Sequence, residues 1–142
     1  MKLKIIDNRH SIVAKCIDAG FEAEQADYFT TAVTIPHHVV TSASNPHFSF
    51  GGGLDAALQH HFPLYCREKQ IRQGGNERIG NLLFLITVDF KLASNEQLVR
   101  DALRFAKDNT FPHETLCISG LGTMIGGLKE EVFVELLKEA FG

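Results

Sequence analysis

Two glycine-rich segments carry the chemistry most readily read from this chain. They are Gly51-Gly52-Gly53, followed at once by Leu54-Asp55, and the run from Gly120 through Gly122-Thr123-Met124-Ile125 to Gly126-Gly127. Each follows a short apolar run and precedes a segment with helical spacing. Where a strand hands over to a helix, unpaired N–H groups and the positive end of a helix dipole are available to an anion. Glycine lets the chain turn tightly there and lets a phosphate approach the backbone. One such loop alone is better explained by glycines that simply end a strand. Two of them point to a ligand cleft at the carboxyl edge of an α/β sheet. The common nucleotide fingerprints do not fit. The second run spaces its glycines as G-x-G-x-x-x-G, one residue longer than the dinucleotide signature, and nothing reads G-x-x-x-x-G-K-[ST].

Other reactive residue types are less informative. His37-His38 and His60-His61 are adjacent pairs, whose side chains diverge on any regular element. No cysteine or carboxylate stands near them at zinc spacing, so neither a metal nor a cofactor is expected. His47 lies inside the first loop and could meet a terminal phosphate or act as an acid, although a solvated loop histidine is the plainer reading. Thr87 and Cys117 read as core residues. Arg67, Lys69 and Arg72 read as a solvated helix face, and no Ser-His-Asp arrangement emerges.

The elements that must position these loops follow from periodicity. Leu3 to Ile6 predicts a first strand, and Asn8 a cap for a helix burying Ile12, Val13, Cys16 and Ile17 and ending at Gly20. Phe29 to Ile35, rich in Thr, Val and Ile, predicts a strand closed by Pro36. Val39 to Thr41 predicts a buried strand leading into the first loop. Helices are expected over Leu54 to His61 and over Tyr65 to Gln73, separated by Pro63, with a turn at Gly74-Gly75-Asn76. The apolar run Leu82 to Val88 predicts a central strand covered on both faces. Ser94 and Gln97 form a capping box for a helix reaching about Lys107. Leu116 to Ile118 predicts a last strand, and Val132, Phe133, Leu136, Leu137 and Ala140 a closing amphipathic helix. Strands alternating with helices give a three-layer α/β/α sandwich around a mostly parallel mixed sheet.

Composition is consistent with this. The 142 residues suit a single domain spanning 1–142, and hydrophobic (44 %) and charged (22 %) shares are ordinary for a globular chain. A net charge of −3 argues against a general nucleic-acid partner, which would want a basic face. Three scattered cysteines without C-x-x-C spacing read as reduced thiols. No signal peptide and no apolar run of membrane-spanning length is visible, so a soluble, cytoplasmic protein whose partner is a small molecule is expected. Oligomeric state is not legible.

The loops also resemble a known family. Thr41-Ser42-Ala43-Ser44-Asn45, then Gly51-Gly52-Gly53-Leu54-Asp55, with Asn45 and Asp55 ten residues apart, is similar to the first signature of the macro domain. Ile118 to Leu128 is similar to that family's second, diphosphate-cradling loop. The resemblance runs from about Asp27 to the C-terminus. It implies a pocket for ADP-ribose or a related nucleotide diphosphate. Asn45 and Asp55 would serve the distal ribose and, in a hydrolase, position a water. Gly51, Gly52 and Gly53 would bring backbone amides to the ribose and phosphate. Gly122, Thr123, Ile125 and Gly126 would wrap the diphosphate, and Asp27 would accept from the adenine amino group. Met124 stands where the family usually has Gly, so its side chain must turn away or cover the ligand. The short path from Leu82 to the Ser94 helix leaves room for one strand fewer than the family has. In this the chain is similar to the shorter macro-like proteins of phages and bacteria. Three functions follow from the resemblance: hydrolysis of ADP-ribosyl esters or ADP-ribose 1″-phosphate, non-catalytic recognition of ADP-ribose, or a structural role with an altered pocket.

Overall fold

The computed structural model describes the whole chain, Met1–Gly142. Six strands form one sheet: β1 (Lys2–Asp7), β2 (Ala23–Gln25), β3 (His38–Thr41), β4 (Glu77–Ile79), β5 (Leu82–Phe84) and β6 (Thr115–Ile118). Their spatial order is β2-β1-β6-β3-β5-β4. All neighbours are parallel except β4, which pairs antiparallel with β5. Six helices complete the fold: α1 (His10–Asp18), α2 (Tyr28–Ala32), α3 (Gly53–His61), α4 (Pro63–Arg72), α5 (Glu96–Asp108) and α6 (Glu130–Phe141).

The central strands are apolar at successive positions because both faces of the sheet are covered. Ile5, Val39, Leu83, Leu116 and Ile118 point to one face and pack with α1, α5 and α6. Their immediate neighbours Ile6, Val40, Leu82, Phe84 and Cys117 point to the other, where α2, α3 and α4 lie. A period of two along each strand therefore sorts the chain into two cores, and the architecture is the α/β/α sandwich. No helix is long and apolar enough to cross a membrane.

Several local expectations are corrected. The run from Phe29 is not a strand, because Asp27 caps it as a helix: its carboxylate accepts from Thr30 N–H (3.1 Å) and from the Thr30 hydroxyl (2.8 Å). That helix buries Tyr28, Phe29 and Ala32, and burial of a ring the size of Phe29 is worth on the order of 2–3 kcal/mol. Tertiary packing thus outweighs β-propensity. Both edge strands, β2 and β4, have no apolar run to reveal them. The ladder of β5 ends at Phe84, earlier than Val88. The chain still follows β3, since Ser42 and Ser44 N–H donate to Leu83 and Leu85 carbonyls, both at 2.9 Å. Asn95, not Ser94, caps α5 through Leu98 N–H (2.9 Å). Arg9, not Asn8, precedes α1, and Ile17 is exposed. Lys69 is buried: its ammonium donates to the carbonyls of Gln73 and Gly75 (both 2.8 Å) and to Glu77 (2.9 Å), above the Phe48 ring. It closes the end of α4 onto β4.

Candidate ligand-binding cleft

The chain leaving β6 enters α6 on one face, while the chain leaving the adjacent β3 enters α3 on the other. Between two such strands the loops diverge and open a crevice at their carboxyl ends. A cleft of about 670 Å³ lies there. Both glycine-rich segments line it. Gly51, Gly52 and Gly53 with Asn45 and Asp55 form one side, Gly122, Met124, Ile125 and Gly126 another, and Asp27 stands at an edge. Of the residues the resemblance points to, only Thr123 is absent from the wall, and His47 also lies outside it.

Asp55, in the first turn of α3, is buried and points back toward β3. Its Oδ1 accepts from Ala43 N–H at 2.9 Å and its Oδ2 from the Ser44 hydroxyl at 2.6 Å. Burial pushes its carboxyl above the ordinary carboxylate range, and these two hydrogen bonds pull in the opposite direction. Asn45 is likewise committed to the loop: its amide donates to Ser49 Oγ (2.8 Å) and its carbonyl accepts from His47 N–H (3.0 Å). Phe48 and Phe50 flank Ser49 with φ of 53° and 52°. Each such bulky residue in the left-handed region costs roughly 1–2 kcal/mol. Both rings are buried against Phe84, which holds the strained turn in place and leaves Ser49 and the three glycines exposed. Gly52 precedes α3 without any side-chain cap, so the first N–H groups of that helix have no side-chain acceptor.

In the second loop, Gly122 has φ of 78°. A Cβ there would run into Ser94, and one on Gly126 would lie 2.7 Å from the Gly122 carbonyl oxygen. These glycines are required by the loop's packing on itself and on the start of α5, whatever the loop binds. Met124, Ile125 and Leu92 are all exposed and line the cleft. Met124 does not adopt a positive φ, so a side chain at this position carries no backbone strain.

Two features escaped the sequence reading. The first is an ion pair between buried Asp7 and half-buried Arg9 at the end of β1. Arg9 Nε and Nη2 donate to Asp7 Oδ1 and Oδ2 at 2.9 and 2.8 Å, and Gly120 N–H donates to Asp7 Oδ2 at 3.0 Å. Arg9 Nη2 also donates to Thr123 Oγ1 at 2.8 Å. Burial raises the Asp7 carboxyl, but the Arg9 bonds and the Gly120 and Arg9 N–H groups bring it below its ordinary value overall. An acid and a base two residues apart directly after an apolar strand was the available signal. The second is Tyr28 in the cleft wall, whose hydroxyl donates to the Cys117 carbonyl and accepts from Thr41 N–H (2.9 Å). Burial drives this phenol far above its usual range, so it stays a donor.

His47 stacks edge-on against Phe90 outside the cleft. All three cysteines are free and buried. Burial pushes Cys117 up to about 11, which leaves little thiolate at neutral pH. Thr87 lines the cleft, its hydroxyl buried and without a protein partner. No group of His, Cys, Asp and Glu side chains is arranged to hold a metal ion.

No family model matches the chain, and no curated protein sequence does. Among solved structures, it is similar to a protein of unknown function from Bacteroides thetaiotaomicron. The two share 16 % identity with a TM-score of 0.66, over 99 % of this chain and 90 % of that one. That likeness shows the fold.

Proposed function

We propose that the cleft binds ADP-ribose or a closely related nucleoside diphosphate. The observation that carries this reading is that both glycine-rich loops and Asp27 open on one cleft at the carboxyl ends of the parallel strands. The second loop supplies backbone N–H donors for the diphosphate, the uncapped start of α3 lies by the distal ribose, and Asp27 accepts from the adenine amino group. Asp27 is suited to that, since its Oδ2 is taken by Thr30 and its Oδ1 is not.

Recognition without catalysis is the better of the two readings for this site. Each carboxylate oxygen of Asp55 already accepts one hydrogen bond that holds the β3–α3 loop, so half of its acceptor capacity is spent on structure. The Asn45 amide is similarly engaged. In this reading both are positioning residues that fix the loop whose backbone meets the ribose.

Calorimetry and thermal denaturation with ADP-ribose test the proposal. Ligand at a hundred times its dissociation constant adds about 2.7 kcal/mol, and each kcal/mol moves the melting point of a domain this size by roughly 2–4 °C. A shift of several degrees is expected, larger than with AMP. The absence of any shift at millimolar ADP-ribose overturns it. Release of ADP-ribose from an ADP-ribosyl ester by the purified protein would restore the hydrolytic reading.

A further inference from the structure

From the charges lining the cleft, we infer that it selects a nucleoside diphosphate whose far end is an uncharged sugar, and discriminates against one ending in a phosphomonoester. The inference rests on the binding function proposed above and specifies its ligand. Four charged residues line the cleft: Asp7, Asp27, Asp55 and Arg9. Three carboxylates thus face a single guanidinium. That guanidinium is not free, because it is held by both oxygens of Asp7 and lies 3.9 Å from Glu130. Its remaining donors turn to Thr123, at Oγ1 (2.8 Å) and at the carbonyl (3.4 Å). Arg9 therefore neutralises a buried carboxylate and ties down a loop, and cannot also pair with a phosphate without releasing one of these partners.

A bridging diphosphate can be held by backbone N–H groups alone, but a terminal phosphomonoester adds close to two further charges at pH 7. Lysine and histidine are absent from the cleft wall. The start of α3 is the one positive feature near the distal ribose, and Asp55 already places a carboxylate in its first turn. A carboxylate there offsets the positive end of the helix dipole. A second anion at the same end meets like charge. An uncharged hydroxyl meets only donors and acceptors.

Paired calorimetric titrations of the full protein with ADP-ribose and with ADP-ribose 1″-phosphate test this, repeated on Asp55→Asn. The wild type is expected to bind the phosphorylated compound at least tenfold more weakly. Asp55→Asn, which removes one charge and keeps an acceptor for Ala43, should narrow that ratio threefold or more. Equal or tighter binding of the phosphorylated compound overturns the inference while leaving the binding function intact. So does a ratio that Asp55→Asn leaves unchanged, which would make the discrimination steric. If neither compound binds, the binding function itself falls, and the inference with it.

Discussion

Arg9 Nη2 and Thr123 Oγ1 meet at 2.8 Å, joining two segments 114 residues apart in sequence. The same nitrogen bonds Asp7, whose other partners are the N–H groups of Arg9 and Gly120. The start of the second glycine loop is therefore pinned to the end of β1 by one ion pair. Removing the cation leaves a buried carboxylate with backbone partners alone, a change that costs 3–5 kcal/mol for fully buried pairs. Arg9 is partly exposed, so Arg9→Met is expected to lower stability by about 2–3 kcal/mol in urea denaturation. Thr123→Val keeps the ion pair but removes this contact and the hydroxyl's own bond to the Gly120 carbonyl (2.6 Å), and should cost about 1–2 kcal/mol. Equal stability of Arg9→Met and wild type would show that the pair does not hold the loop.

Asp55 gives a second prediction, separable by the substitution chosen. Asp55→Ala leaves the Ala43 N–H and the Ser44 hydroxyl without their acceptor and should cost about 1–3 kcal/mol. Asp55→Asn keeps an oxygen for Ala43, while its amide can donate to Ser44 Oγ, so it should cost less. Because burial raises this carboxyl above its unfolded value of 3.8, folding favours the protonated form. Its contribution is complete below that value and fades as pH rises through the folded one. The stability of Asp55→Asn relative to wild type should therefore improve from acid toward neutral pH. A pH-independent difference in chemical denaturation would remove the burial argument.

What was legible in the sequence, and what was not, divides along physical lines. Consecutive apolar residues such as Ile5-Ile6 and Val39-Val40 announce strands covered on both faces, because nothing else places neighbours of one strand in opposite cores. Glycine-rich loops announce the cleft because their backbone constraint is local. The edge strands Ala23–Gln25 and Glu77–Ile79 stayed hidden because their pairing partners, not their own residues, make them strands. Lys69, and the cap that Asp27 supplies to α2, stayed hidden for a related reason. A carboxylate or an ammonium reads as solvated until the fold supplies a free N–H or a set of carbonyls for it. Asp55 lines the cleft, but its two hydrogen bonds to the β3 loop depend on how that loop folds back, which spacing alone does not reveal.

Glu114 provides a pH signature away from the cleft. Both its oxygens accept from the Arg78 guanidinium at 2.7 Å, and Phe111 N–H donates to Oε1 at 2.8 Å. The Arg78 hydrogen bonds are the main cause that brings this carboxyl from 4.5 down to about 2. A depressed carboxylate stabilises the fold above its unfolded value and loses that contribution as pH falls through its folded one. At about 1.4 kcal/mol per unit this amounts to roughly 3 kcal/mol, lost between pH 4.5 and about 2. Glu114→Gln should be less stable than wild type by a comparable amount at neutral pH, and the two should converge in acid. Parallel acid titrations followed by circular dichroism would refute this if the gap stayed constant.

Met124 decides how the rim of the cleft is used. Its φ is not positive, so replacing it with glycine relieves no backbone strain. Glycine instead adds freedom to the unligated loop, a cost of roughly 0.5–1 kcal/mol relative to a residue with a side chain. Against that stands the thioether itself, largely exposed at the mouth of the cleft beside Ile125. An apolar chain there cannot solvate a diphosphate, and its removal clears the approach to the Gly122–Gly126 backbone. Gly127 N–H donates to the Met124 carbonyl at 3.2 Å, a contact that survives any side-chain change, so the loop keeps its shape. The two effects are opposed. Met124→Gly is therefore expected to keep or improve ADP-ribose affinity in calorimetry, with Met124→Ala separating obstruction from added flexibility. Should both variants lose tenfold or more, the thioether is a ligand contact through its flexible, polarisable surface. The natural ligand would then carry an apolar group beyond plain ADP-ribose.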